Sequence, residues 1–225
     1  MFGGVQGNLM GDMAAKGVEP DGIDTVVHTH LHFDHISWNA AEDRSPPGFK
    51  NARYVANQAR TGSSSSSPDV QANFPPNSFE GPMRPLEKAG VLDLVQGEHT
   101  LTDELTLIPT PGHTPGHMSV LVASAGEKAI ITGDVFINPA QVTNTHWSAA
   151  FDADPATATA TRNSVLDRIE AEGLRPIVCH FPSPGLGGIV RVDGTRYWHG
   201  RRGGGAVSGR RRPCGARGSQ VPGRP

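Results

Sequence analysis

Four histidines and an aspartate fall within the eight residues His28–His35 of the stretch HTHLHFDHISWN, while the other six histidines of this 225-residue chain are scattered. No other feature limits the fold and chemistry as much. A single histidine is ordinarily a surface or core residue, but candidate ligands at H-x-H-x-D-H spacing are a different case. Alternate side chains of an extended segment point the same way, so His30 and His32 can chelate one ion. Asp34 and His35 follow at a turn and can face a second. Imidazole with carboxylate suits zinc or a similar divalent transition metal.

The surrounding pattern supports a scaffold built for such a cluster. IDTVVHTH is a β-branched apolar run that ends at the histidines and reads as a buried strand. ARYVAN (Ala52–Asn57) predicts another. VLDLVQGEHTLTDELTLIPTPG predicts two strands about a turn near Gly97, and HMSVLVASAGEKAIITGD a hairpin with strands Met118–Ala123 and Lys128–Thr132. PIVCH reads as a last buried strand. Val5–Gly17 predicts a short helix with Gly17 past its end. Asp154-Pro155 predicts a second, with Asp as N-cap, Pro at the first helical position, an apolar stripe of Val165, Leu166 and Ile169, and Gly173 closing it. The polar, proline-broken stretch from Ala59 to Pro85 reads as a long loop able to wall a pocket. In four places, at His28–His35, His113, Asp134 and His180, the residue after an apolar strand is one that can bind a metal, and strand ends hold functional groups rigidly.

THLHFDH resembles the signature of the metallo-β-lactamase superfamily. The other motifs come in that family's order: PTPGHTPGH with His113, ITGDVF with Asp134, and VCHFPSPGLG with His180. The resemblance runs from about Gly7 to Gly188 and implies an α+β fold, the αββα sandwich. It implies that His30, His32 and His113 hold one metal, that Asp34, His35 and His180 hold the other, and that Asp134 bridges them. Two zinc ions, or other divalent transition metals, about 3.5–4 Å apart would bring a bridging water near neutrality and supply a hydroxide nucleophile, with Asp34 and Asp134 as the catalytic carboxylates. By the same resemblance, His32 stands where the flavodiiron branch carries Glu, and Asp134 where several β-lactamases place a cysteine. The pattern is closer to hydroxyacylglutathione hydrolases and acyl-homoserine-lactone lactonases. HFPSPGLGGI is similar to the lactonase and methyl-parathion-hydrolase-like group. The implied activity is hydrolysis of ester-like bonds in small molecules: lactones, thioesters or organophosphates. Ser37 departs from a glycine common in the family. Relatives carry several strands before the first motif, whereas here it begins at residue 30. A sandwich lacking N-terminal strands is therefore expected, and the alternative is a truncated metal-binding relative without activity of its own.

Composition bounds the rest. No apolar run approaches the roughly 18 residues that span a bilayer, and the N-terminal residues lack a basic region followed by an apolar stretch. With only Cys179 and Cys214, a disulfide framework is excluded and a reducing cytoplasm is expected. Residues 200–225 carry seven of the 20 basic residues and no acid, which leaves 13 basic against 22 acidic residues before them, a net of −9. The expected organisation is a hydrolase domain over 1–199 and a disordered Gly/Arg-rich tail over 200–225. No aromatic is interleaved for base stacking, so nucleic acid is disfavoured as a partner. A small-molecule substrate is expected, with the oligomeric state open and a homodimer among the options. Cys179 is expected to point away from the metals into the core. His117 either orients a ligand or packs in its strand. His28 is expected to be structural, and His99, His146 and His199 solvated. Phe33, Trp38, Phe136 and Phe181 either wall a pocket or fill the core.

Overall fold

The computed structural model describes residues 7–39, 48–59 and 82–201. In it the apolar runs become strands of two sheets that face one another. β1 (Thr25–Val27), β2 (Arg53–Asn57) and β3 (Leu92–Val95) pair in parallel in that order. β4 (His99–Thr100), β5 (Leu105–Pro109), β6 (Met118–Ser124) and β7 (Glu127–Ile131) form an antiparallel meander, and β8 (Arg175–Ile177) joins β7 in parallel.

Strand periodicity decides which residues each face receives. Val27, Val55 and Val95 of the first sheet meet Leu107, Val120 and Ile131 of the second in one apolar cluster between the sheets. Their neighbours point outward. Val26, Tyr54, Ala56 and Leu92 pack under Leu9, Met10 and Met13 of α1 (Leu9–Ala15) and Leu86 of α3 (Arg84–Lys88). On the far side Ile108, Leu121 and Ile130 pack under Val165, Leu166 and Ile169 of α5 (Pro155–Glu172). The result is the four-layer αββα sandwich.

Two short helices serve the site: α2 (Phe33–Ile36) follows β1, and α4 (Ala140–Thr143) follows β7. α5 begins as its sequence dictates. Asp154 Oδ1 accepts hydrogen bonds from Ala156 N and Thr157 N, both at 3.0 Å, and Gly173 ends the helix at φ 65°. Its stripe holds one surprise, a fully buried Arg162 among the aliphatics.

The β6–β7 hairpin turns through Ala125 (φ 51°) and Gly126 (φ 81°), a pair of left-handed residues that suits a two-residue connection. PIVCH is not the last strand. β9 (Gly187–Val192) and β10 (Thr195–Gly200) form an antiparallel ribbon, and Trp198 packs on Phe181 at a 4.8 Å ring separation. The boundary expected at residue 200 therefore falls inside paired structure: Gly200 ends β10, and Arg201 N donates to Leu186 O at 2.7 Å. Residues 202–225, most of the Ala59–Pro85 loop and the first residues of the helix expected over Val5–Gly17 lie outside the described residues. Among the described residues no helix is long and apolar enough to cross a membrane.

Candidate metal centre

β1 ends at Val27, and His28 N still donates to Val55 O at 2.9 Å. His28 is buried, with its Nε2 2.8 Å from Asn39 Oδ1, and its ring stacks on Tyr54, so it is structural as expected. The chain then crosses towards the second sheet, where Met118 N donates to Thr29 O at 2.8 Å. This step delivers His30 and His32 to the seam between the sheets. His32 is extended (φ −69°, ψ 150°) and α2 starts directly after it, which turns His35 back over the same space. Ser37 donates its hydroxyl to Phe33 O at 2.8 Å, fastening the end of that turn.

Two donor groups result. In the first, His30, His32, His113 and Asp134 are all buried. His32 Nδ1 lies 3.1 Å from His30 Nε2 and 2.9 Å from His113 Nε2. Asp134 Oδ2 lies 3.6 Å from His30 Nε2 and 3.4 Å from His113 Nε2. Desolvation, together with the charge of neighbouring His113, pushes His32 down to about 3, and desolvation also holds His30 well below its ordinary value. Burial favours the neutral form of His30 and His32, and their ring nitrogens meet that of His113 at hydrogen-bonding distance. A cation placed among the three nitrogens would accept a lone pair from each.

The second group gathers His35, Asp134, His180 and, against expectation, Cys179. His35 Nε2 is 3.2 Å from Asp134 Oδ1, and His180 Nε2 is 3.2 Å from Asp134 Oδ2. Asp134 thus stands between both groups. Burial opposes its charge, but the contacts from His180 and His35 and the field of His30 outweigh that and hold it ionised, well below the usual carboxylate range. The Asp134 contact in turn raises His180. His35 Nε2 is buried and makes no hydrogen bond. An orphaned imidazole nitrogen facing a carboxylate, beside three further donors, fits a metal ligand. The residues present therefore suit a pair of divalent cations sharing Asp134.

Six of the seven expected ligands enter these groups. Asp34 sits at the rim, 3.5 Å from His180 Nε2 and 3.6 Å from His35 Nε2, with its side chain 34% exposed. Cys179 is a correction. β8 stops at Ile177, so strand alternation ends before the cysteine; Val178 enters the core, and Cys179 turns to the site. Its Sγ donates to Asp134 Oδ1 at 3.3 Å and Gly133 O at 3.6 Å, and burial plus the Asp134 charge push the thiol up to about 12. Phe136 and Phe181 belong to the core, with their rings 6.5 Å apart.

Two buried hydrogen-bond chains hold the ligands. His117 Nε2 accepts from Asp134 N at 3.0 Å, so its Nδ1 carries the proton and donates to Thr110 Oγ1 at 2.8 Å. Thr110 Oγ1 lies 3.0 Å from Ser119 Oγ, which donates to Thr132 O at 3.2 Å. Of the two readings of His117, the structure favours orientation: it fixes the backbone that carries Asp134. Desolvation pushes His117 down to about 3, which keeps it the neutral acceptor this requires.

The other chain was missed in the sequence. His113 Nδ1 is 3.0 Å from Asp152 Oδ1, while Asp152 Oδ2 accepts from Arg162 and from Ala149 N at 3.0 Å. Burial disfavours the Asp152 charge, but His113 and Arg162 hold it ionised. An ionised carboxylate can only accept, so His113 donates from Nδ1 and its Nε2 lone pair is left for a metal. Arg162 also donates to Val135 O and Thr145 O, both at 3.0 Å. The His113 loop rests directly on α5. A Cβ at Gly112 (φ 128°) would lie 2.3 Å from Ala158 N, and only glycine permits that approach.

Comparison with known proteins agrees with this architecture. The family model described as the metallo-beta-lactamase superfamily matches residues 2–180. An N-acyl homoserine lactonase of a Bacillus species is 28% identical over 149 residues, 65% of this chain and 52% of that protein. One from Bacillus cereus is 26% identical over 106 residues, 47% of this chain and 35% of that protein. The chain thus spans about half, or less, of the length of these curated relatives. Among solved structures, a hydrolase of the β-lactamase superfamily, AbOPH, superposes with a TM-score of 0.76 at 24% identity, covering 89% of this chain and 72% of that one. AidC, a dizinc quorum-quenching lactonase in complex with a product, also gives 0.76 at 20% identity, covering 88% and 71%. At such identities the superpositions establish the shared fold.

Proposed function

The chain belongs to the metallo-beta-lactamase superfamily, and we propose that it is a dinuclear, zinc-dependent hydrolase of ester-like bonds in small molecules, lactones foremost. The observation that carries this reading is the buried Asp134 carboxylate. Its Oδ2 lies within 3.6 Å of His30, His113 and His180, and its Oδ1 lies 3.2 Å from His35, so it serves both donor groups at once. His30, His32 and His113 with Asp134 would hold one cation, and His35 and His180 with Asp134 and rim residue Asp34 the other. Such a pair supplies an activated water at neutral pH and polarises the substrate's carbonyl or phosphoryl oxygen.

The chain's own residues set the rest. The first group is closed to solvent, whereas the side chains of Asp34 and His180 are each 34% exposed. Substrate therefore reaches the cluster from the Asp34–His180 side. Asp34 is the carboxylate that meets solvent there and is placed to pass on the proton released during hydrolysis. Asp152 keeps the His113 ring in a fixed tautomer and His117 fixes the backbone that carries Asp134, so the donor set is preorganised. The lactonase names of the Bacillus relatives favour a lactone over a phosphotriester as the first substrate class to try.

The test is metal content and turnover of the full chain purified with zinc supplementation. The proposal expects about two ions per chain and hydrolysis of at least one member of a panel of acyl-homoserine lactones, simple lactones, thioesters and phosphotriesters. Fewer than one ion per chain defeats the dinuclear centre. Two ions with an inert panel defeats the substrate assignment.

A further inference from the structure

We propose that Cys179 is a metal ligand of this chain, giving the second cation position a mixed donor set of His35, His180, Asp134 and a thiolate, while the first position is held by nitrogen and oxygen alone. The inference deepens the two-cation reading above and rests on it. The ligand atoms of His35, Asp134, Cys179 and His180 all lie within 4.8 Å of one another. Ligands of a tetrahedral zinc, at about 2.0–2.3 Å from the metal, stand roughly 3.3–3.8 Å apart, so a small inward shift of these side chains closes the shell.

Three further observations point the same way. Cys179 Sγ contacts Asp134 Oδ1, the oxygen that His35 Nε2 also faces at 3.2 Å, rather than the Oδ2 shared with the first group. His35 Nε2 is buried without a well-formed hydrogen bond, and the groups facing it are the carboxylates of Asp134 at 3.2 Å and Asp34 at 3.6 Å, an acceptor-only surrounding that a cation would complete. Asp34, the carboxylate expected to complete this position, lies instead at the rim against His35 and His180. Cys179 is itself an exposed residue, so its thiol is open to an incoming ion, and Asp34 remains a further donor at the rim. On coordination the thiol releases its proton to solvent as the metal–sulfur bond forms. A sulfur donor biases the position towards soft and borderline divalent ions, zinc and cadmium over magnesium and manganese. The two positions of one centre therefore differ in metal preference.

The experiment uses the full chain carrying Cys214→Ser, which removes the second thiol of the sequence. The apoprotein is titrated with Co²⁺ and followed in the near-ultraviolet, where thiolate-to-cobalt charge transfer absorbs, with bound cobalt counted in parallel. A near-ultraviolet band that rises with bound cobalt, and is lost in the Cys179→Ser/Cys214→Ser protein while the visible cobalt bands persist, supports the assignment. Titration with Cd²⁺ adds an affinity readout. Cys179→Ser should weaken one of the two sites by at least about tenfold, about 1.4 kcal/mol, and leave the other unchanged. Two bound cobalt ions without the near-ultraviolet band, or unaltered cadmium affinities, overturn the thiolate ligand while leaving the dinuclear reading intact. Less than one bound ion per chain overturns both.

Discussion

The Asp152→Asn substitution tests the reasoning most directly, because it changes one atom in a buried chain and leaves volume almost constant. Asp152 satisfies three donors: His113 Nδ1 on Oδ1, and Arg162 and Ala149 N on Oδ2. An asparagine offers one oxygen. The Arg162 guanidinium is fully buried, so the oxygen should turn to it and to Ala149 N, leaving the amide NH₂ facing His113. His113 then has to accept at Nδ1 and carry its proton on Nε2, the nitrogen that points at His32 and Asp134. The lone pair needed for a metal is lost unless the ring pays to change tautomer. Removing such an outer partner typically weakens metal affinity 10–100-fold, or about 1.4–2.7 kcal/mol. Arg162 also loses its counter-charge. Breaking a buried pair costs about 3–5 kcal/mol when the partner is deleted, and the retained hydrogen bond puts Asn at or below the low end. Against a typical stability of about 5–15 kcal/mol, the variant should fold. Competition with a chromophoric chelator gives the zinc affinity of each site, and thermal unfolding of the apoprotein gives the stability. A folded variant in which both zinc affinities are within twofold of wild type would refute the tautomer argument.

Asp134→Ala should abolish hydrolysis and drop the metal count from about two to at most one, measured by elemental analysis, since both donor groups share that carboxylate. Leu166→Ala, fully buried between α5 and the second sheet, should cost about 2–5 kcal/mol in denaturant unfolding with metal stoichiometry retained in the folded fraction. Glu170 receives Arg191 and Arg196, whose hydrogen bonds pull its carboxyl from 4.5 to about 2. A folded-state value below the ordinary one means its stabilisation is present above about pH 4.5 and fades as pH falls towards 2. The thermal-midpoint gap between wild type and Glu170→Gln should therefore be small but steady from pH 7 to 5, given the exposure of the pair, and should close below that. A gap that widens on acidification would contradict the sign.

The layer structure was legible because it rests on local repetition. Val26 against Val27, Tyr54 against Val55, and Ile130 against Ile131 each send one side chain to either face, and period two is visible in any single strand. The residues of the two donor groups, Cys179 apart, were legible because each follows an apolar run or sits in a tight cluster. The β9–β10 ribbon escaped notice although a signal was there. IVRV and TRYW, rich in β-branched and aromatic residues, flank Asp193-Gly194, and both turn residues take positive φ (49° and 80°), the turn that Asp-Gly favours. Cys179 was misplaced because alternation was carried two residues beyond the end of β8, where the ladder that enforces it had already stopped.

Asp152 and Arg162 were invisible for a different reason. No motif contains them, and Asp152 reaches His113 across 39 residues of sequence. The one trace lay in α5, where the buried positions run Ala158, Arg162, Val165, Leu166 and Ile169. Spacings of four, three, one and three follow a single helical face, and an arginine sits in the middle of it. Placed there, Arg162 must bury a charge that water would otherwise solvate, a cost that persists only where fixed acceptors compensate. It finds them in Val135 O, Thr145 O and Asp152. The first of these lies next to Asp134 in the chain, and the last holds His113. One side chain of the core helix therefore braces ligands from two different motifs. The apolar position surrendered in the helix stripe braces the candidate metal centre, so stability and metal binding should respond together to changes along α5.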